Sequence, residues 1–152
     1  MEIVGKLQKE YFAFMSSLYR EGFLDSQFLQ LQKLQDENSP DFVVEVTSLF
    51  FDDAEKLLNN LTISLQQQVV DFKLVDAHVH QFKGSSSSIG AERVKNVLVA
   101  FRNFCEEKNL DGCMQCLQHA KCEYFLVKNR LETLFSLEQQ IQAAGGRIPI
   151  IS

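Results

Sequence analysis

Residues 3–22 read Ile3-Val-Gly-Lys-Leu-Gln-Lys-Glu-Tyr-Phe-Ala-Phe-Met-Ser-Ser-Leu-Tyr-Arg-Glu-Gly22. Ile3, Leu7, Tyr11, Phe14, Met15 and Leu18 recur at three- and four-residue spacing and stop at Gly22, the pattern of an amphipathic helix closed by a C′ glycine. The same grammar runs on along the chain. Asp25 is placed to cap a second, short helix carrying Phe28, Leu31 and Leu34. Asp36 to Pro40 then punctuates, with Ser39 as the expected cap of a third helix and Pro40 at its first position. That helix carries Phe42, Val46, Leu49, Phe50, Leu57 and Leu61 inward and Glu45, Asp52, Asp53, Glu55 and Lys56 outward.

A fourth helix is expected from about Leu65 to Ser88, with Phe72, Val75, Val79, Phe82 and the small Ser86 as its apolar stripe. Gly90 separates it from a fifth, striped by Val94, Val97, Leu98, Phe101 and Phe104, and Asn109 to Gly112 marks the next break. Cys113, Met114, Leu117, Tyr124, Leu131, Leu134, Glu138 and Ile141 follow one seam of a long last helix as far as Gly145 and Gly146. Arg147 to Ser152 reads as an extended or frayed tail.

Composition agrees with this reading. Seven glycines and two prolines in 152 residues cannot furnish the turns of an all-β domain. The expected architecture is all-α. One domain is foreseen: N-terminal helices within about 1–38, an antiparallel four-helix bundle over about 40–144, and a tail at 145–152. Fifteen Lys and Arg against 20 Asp and Glu leave a net charge of -5, which argues against a nucleic-acid footprint. The apolar runs are too short for a membrane span and the N-terminus lacks a signal-peptide core. A soluble intracellular protein is therefore expected, its four cysteines held reduced.

Asp76-Ala-His-Val-His80-Gln-Phe-Lys83-Gly84 lies inside the fourth helix. At about 100° per residue, His80 falls roughly 120° from the centre of the apolar stripe and Gly84 roughly 160°. His80 should thus project into solvent. A glycine in a helix interior costs about 1 kcal/mol relative to alanine, so Gly84 must serve something other than the helix. One turn beyond His80, its missing side chain clears the surface beside the imidazole, and Lys83 at i+3 brings a compact positive charge. An accessible imidazole, a cleared neighbour and an ammonium suit a nucleophile that receives a phosphoryl group.

The string His80-Gln-Phe-Lys-Gly-Ser-Ser-Ser-Ser-Ile-Gly-Ala91 resembles the phosphorylation motif of histidine-containing phosphotransfer (HPt) proteins. Leu31-Gln-Lys-Leu-Gln-Asp36, Leu49-Phe-Phe-Asp52 and Arg93-Val-Lys95 are similar to the plant members of multistep cytokinin phosphorelays. The resemblance covers nearly the whole chain. It implies a four-helix bundle with His80 as phosphoacceptor, Lys83 as the phosphate-assisting cation and Gly84 as the access residue. His80 Nε2 would take the phosphoryl group from a receiver aspartate of a hybrid histidine kinase and hand it to the receiver aspartate of a response regulator. Such a protein is a stoichiometric carrier and not an enzyme, monomeric, cytoplasmic and nuclear, with no nucleotide site and no cofactor of its own. The Mg²⁺ would come from the partner receiver domain. The competing class is a helical adaptor that binds receivers without carrying phosphate.

Other constellations point to plainer roles. Asp76 at i−4 and Ser87 at i+7 share the side of His80, but one convex helix face offers no oxyanion hole for a Ser-His-Asp hydrolase. Asp76 is expected to hydrogen-bond the imidazole or an adjacent side chain. His78 points about 200° away from His80 and cannot share a metal with it. Gly84 to Gly90 lacks the spacing and the Lys-Ser/Thr of a P-loop. The four serines suit a helix end where hydroxyls bond carbonyls. Cys113, Cys116, His119 and Cys122 drift around a helix instead of converging on a metal, and buried thiols are expected. Phe23, Leu24 and Phe51 are candidates either for an apolar docking surface or for core packing.

Overall fold

Six helices carry residues 2–149, the part of the chain described by this computed structural model. They are α1 (Glu2–Arg20), α2 (Ser26–Leu34), α3 (Phe42–Leu65), α4 (Phe72–Ile89), α5 (Glu92–Glu106) and α6 (Leu110–Ala143). The chain's only bridge pairing among these residues is the isolated contact of Asp36 with Ser39. Helices α3 to α6 pack in chain order as antiparallel neighbours, and α3 closes the ring against α6. At about 1.5 Å per residue, the 34 residues of α6 extend about 51 Å, well beyond its bundle partners. Helix α1 lies along α6, and α2 packs across α4 and α3.

Local chemistry sets the helix ends. Asp25 caps α2 by accepting the Gln27 N–H at 2.9 Å, as the sequence suggests. Gly22 follows α1 at φ 75°, and the Phe23 amide returns to the Leu18 carbonyl at 2.9 Å in a Schellman-type closure. Two expected boundaries are corrected. Helix α3 begins at Phe42 after Asp41, so Ser39 is not its cap and Pro40 precedes it. Asp36 Oδ1 accepts the amides of Asn38 and Ser39, which makes this stretch a turn of its own. Leu65 closes α3 instead of opening α4, which starts seven residues later where Asp71 Oδ1 accepts from Lys73 and Leu74.

Phe82 sits fully buried at the centre, its ring 6.5 Å from Phe50 and 6.3 Å from Tyr124. Truncating such a side chain to alanine removes about 3–5 kcal/mol. Tyr124 is anchored in turn: its hydroxyl donates to Glu55 Oε2 at 2.6 Å, and Lys128 Nζ reaches the same oxygen at 2.8 Å. Together these donors hold the Glu55 carboxyl below its usual range.

The apolar stripes turn out slightly rotated from expectation. Leu49, Ile3, Leu34 and Met114 face solvent, while the inward face of α3 runs through Val43, Thr47, Phe50, Ala54 and Leu57. Leu49 lies about 100° from Phe50, outside that stripe, and single exposed apolar residues are ordinary on protein surfaces. Phe23 and Leu24 are buried and Phe51 packs on the core, so none is a free docking surface. Phe23 is covered by the guanidinium of Arg93 at 4.3 Å and that of Arg130 at 5.2 Å. The tail is extended but tethered as far as Pro149: the Arg147 carbonyl accepts from Gln8 and Ile148 packs on the core. Residues 150–152 of that expected tail lie outside the described residues.

Candidate phosphoacceptor site on helix α4

Val75, Val79, Phe82, Ser86 and Ile89 are all buried, which fixes the rotation of α4 about its axis. The residues on the other side are thereby turned outward: His80 and Gly84 are exposed, and Lys83 is half-buried between the two faces. A Cβ built on Gly84 meets nothing within 4 Å. No packing inside this molecule therefore demands the glycine, and the space it leaves is open to an approaching surface. Lys83 forms no ion pair among the described residues, so its charge is available beside the ring.

Sequence reasoning missed Arg102. It rises from α5 and stands between two α4 side chains one turn apart, Asp76 and His80. Arg102 Nε lies 3.1 Å from Asp76 Oδ1 and Nη2 lies 3.4 Å from Oδ2, while Nη1 approaches His80 Nδ1 at 3.0 Å. Asp76 holds the guanidinium in its charged form even more firmly than usual, chiefly through this hydrogen bond. Asp76 thus bonds an adjacent side chain and not the imidazole, and its negative charge is matched before any phosphate arrives. Both partners are about one-third exposed, so the pair is worth little as a stabilising salt bridge and its interest is positional. His80 Nε2 has no protein partner among the described residues. The only signal for Arg102 in the sequence is a charged residue between the core positions Phe101 and Cys105.

The remaining candidates take structural positions. Ser85 and Ser88 donate to the carbonyls three residues before them, as a serine-rich helix end should. Asp76 is engaged with Arg102, so no Ser-His-Asp array forms with Ser87. Cys113 and Cys116 are buried whereas His119 and Cys122 are exposed, so the string does not converge, and the expectation of a buried thiol is corrected for Cys122. Cys113 instead faces Cys105 across the α5–α6 turn, Sγ to Sγ 3.9 Å, and burial pushes both thiols up. His78 is half-buried on α4.

An exposed helical histidine beside a cleared position and a lysine without an ion pair, on an all-α scaffold of six helices among the described residues, is the arrangement that a phosphotransfer-type site requires. Comparison with known proteins agrees with that class. The Hpt domain family matches residues 45–144. Histidine-containing phosphotransfer protein 1 of Arabidopsis thaliana is 64% identical over 151 residues, covering 99% of this chain and 97% of the relative. A solved histidine-containing phosphotransfer protein from Medicago truncatula superimposes with a TM-score of 0.88 at 56% identity, over 91% of this chain and 95% of that one. Pseudo histidine-containing phosphotransfer protein 6 of Arabidopsis thaliana is also similar, at 49% identity over 97% of both chains. This chain belongs to the histidine-containing phosphotransfer family, and it acts as a phosphorelay mediator rather than as a classical enzyme.

Proposed function

We propose that His80 is the phosphoacceptor of this mediator, with Lys83 steadying the phosphoryl oxygens and Gly84 admitting the partner. One observation carries the reading: an imidazole with Nε2 unengaged projects from the middle of α4, next to a glycine around which nothing packs. A convex, open face suits docking to a partner that brings its own catalytic pocket. In this reading the partner receiver supplies the Mg²⁺ and the acidic residues that hold it, and this chain contributes the nucleophile and the Lys83 cation. The donors are receiver domains of hybrid histidine kinases, and the acceptors are response regulators of plant, cytokinin-type relays. The carrier works as a monomer without a nucleotide site and serves both cytoplasm and nucleus, consistent with its mass of 17.4 kDa.

The test is incubation with a phosphorylated receiver and Mg²⁺, comparing wild type with His80→Gln and Lys83→Ala. Acid-labile, base-stable label is expected on wild type and, about tenfold more slowly, on Lys83→Ala, which loses one oriented charge contact, and none on His80→Gln. Label on His80→Gln would move the acceptor elsewhere. Absence of label from wild type, with receiver binding intact, would favour the adaptor, a class that the similarity to a pseudo phosphotransfer protein keeps in view.

A further inference from the structure

The Arg102 contact deepens the reading of His80 as phosphoacceptor, and rests on it. A guanidinium has only donors, so the Nδ1 that faces Arg102 Nη1 at 3.0 Å carries a lone pair. In the unmodified neutral ring this places the proton on Nε2. A ring phosphorylated at Nε2 presents the same pattern with no proton to move: substituent on Nε2, lone pair on Nδ1. Arg102 therefore already stands where the phosphorylated ring needs a donor.

We propose that Arg102, oriented by Asp76, is a positioning residue that prolongs the life of the phosphohistidine by keeping Nδ1 unprotonated. During loading, Nε2 of the Nδ1–H tautomer attacks phosphorus, the donor's aspartate oxygen leaves with the P–O electron pair, and the Nδ1 proton passes to solvent. Arg102 Nη1 then donates to the vacated lone pair. During spontaneous hydrolysis, a water oxygen bonds to phosphorus, the P–Nε2 bond breaks and its electron pair remains on Nε2. Water ends as part of inorganic phosphate, and one of its protons goes to Nε2 only where Nδ1 carried none. If Nδ1 is protonated beforehand, the ring departs as neutral imidazole; if not, it must depart as imidazolate, a far poorer leaving group. A guanidinium on Nδ1 opposes that proton twice, by occupying the lone pair and by like-charge repulsion. The other charged groups around the ring are Asp76 and Lys83 on α4, Glu106 on α5 beside Arg102, and Asp53 on α3, which accepts from Gln81 at 3.4 Å. Helix α2 and its cap hydrogen-bond the C-terminal end of α4 at Ser88 and Gly90, about two turns from His80.

Full-length wild type, Arg102→Gln, Arg102→Lys and Asp76→Asn can each be loaded with inorganic phosphoramidate, stripped of reagent, and followed for loss of phosphate from pH 5 to 8 without any receiver. Arg102→Gln should lose its phosphate roughly three- to tenfold faster near neutral pH, the range expected for one hydrogen bond at a partly exposed site, and its lifetime-versus-pH curve should shift to higher pH. Asp76→Asn should fall between, and Arg102→Lys should recover part of the lifetime. Unchanged helical circular dichroism separates this effect from unfolding. A curve for Arg102→Gln that overlays wild type overturns the inference while leaving His80 as acceptor; a wild type that takes no label overturns both. Independently of phosphorylation, ¹⁵N chemical shifts of unmodified His80 should report the Nε2–H tautomer in wild type, and the Nδ1–H tautomer there would count against the contact.

Discussion

At the scale of single residues, Gly84 and His80 are legible in the sequence because both lie on one helix, whose rotation is fixed by its own apolar stripe. Gly84 adopts ordinary helical geometry with open space where a Cβ would stand. Its replacement therefore separates stability from function. Gly84→Ala should raise the stability of the bundle by about 0.5–1 kcal/mol, since alanine removes unfolded-state freedom and meets no neighbour. Gly84→Leu should leave the thermal midpoint near that of wild type while reducing the rate of phosphoryl transfer from a receiver by tenfold or more. Equal losses of helicity and transfer would refute the access role. Arg102, by contrast, could not be read from one helix. Its contacts join residues 22 and 26 positions apart, and only the register between α4 and α5 brings them together.

At the scale of elements, the two ends of α4 show why boundaries are harder to read than faces. Gln66 to Val70 contains neither Gly nor Pro, so the hydrophobic pattern alone lets a helix run through it; the interruption comes from Asp71 capping the amides of Lys73 and Leu74. The other end is plain, because Gly90 takes φ 80° and ψ 25°, a conformation in which glycine is preferred. Gly90 also lets α2 close over α4: its carbonyl accepts the Asp25 amide at 2.9 Å, and an added Cβ would lie 2.7 Å from the Phe28 nitrogen. Gly90→Ala combines left-handed strain with a backbone clash and should destabilise the protein by about 2 kcal/mol or more. The shift of the urea midpoint should thus be opposite in sign to that of Gly84→Ala, although both replace a glycine of the same helix region. Shifts of the same sign would show that the space around one of them has been misjudged.

At the scale of the whole molecule, the scarcity of glycine and proline is enough to exclude an all-β design, but it does not tell how α1 is held. Helix α1 packs chiefly on α6, along the part of α6 that overhangs the bundle, with Gln32 of α2 donating to Met15 Sδ at 3.9 Å. There the Tyr11 hydroxyl, itself buried, donates to Glu138 Oε2 at 3.0 Å, and burial pushes the Glu138 carboxyl up from 4.5 to about 7. Glu138 falls on the apolar seam of α6 in the sequence, but a carboxylate in a seam reveals its partner only when α1 is docked. A carboxyl whose folded-state value is raised binds more protons in the native state than in the unfolded state between those two values. Its contribution to stability is therefore present in acid and is lost as pH rises from about 4.5 through about 7. Glu138→Gln keeps an acceptor for Tyr11 without the ionisation, so it should be more stable than wild type above pH 7, by on the order of 1–2 kcal/mol, with the difference shrinking toward pH 5. Denaturant midpoints measured for both proteins from pH 5 to 8 check this. Because α1 does not contact α4, phosphoryl transfer measured at 20 °C or thereabouts, where both are folded, should be the same in the two proteins. Parallel stability curves would show that Glu138 is already solvated in the folded protein, and a transfer rate that followed the substitution would mean that α6 carries the state of α1 into the bundle.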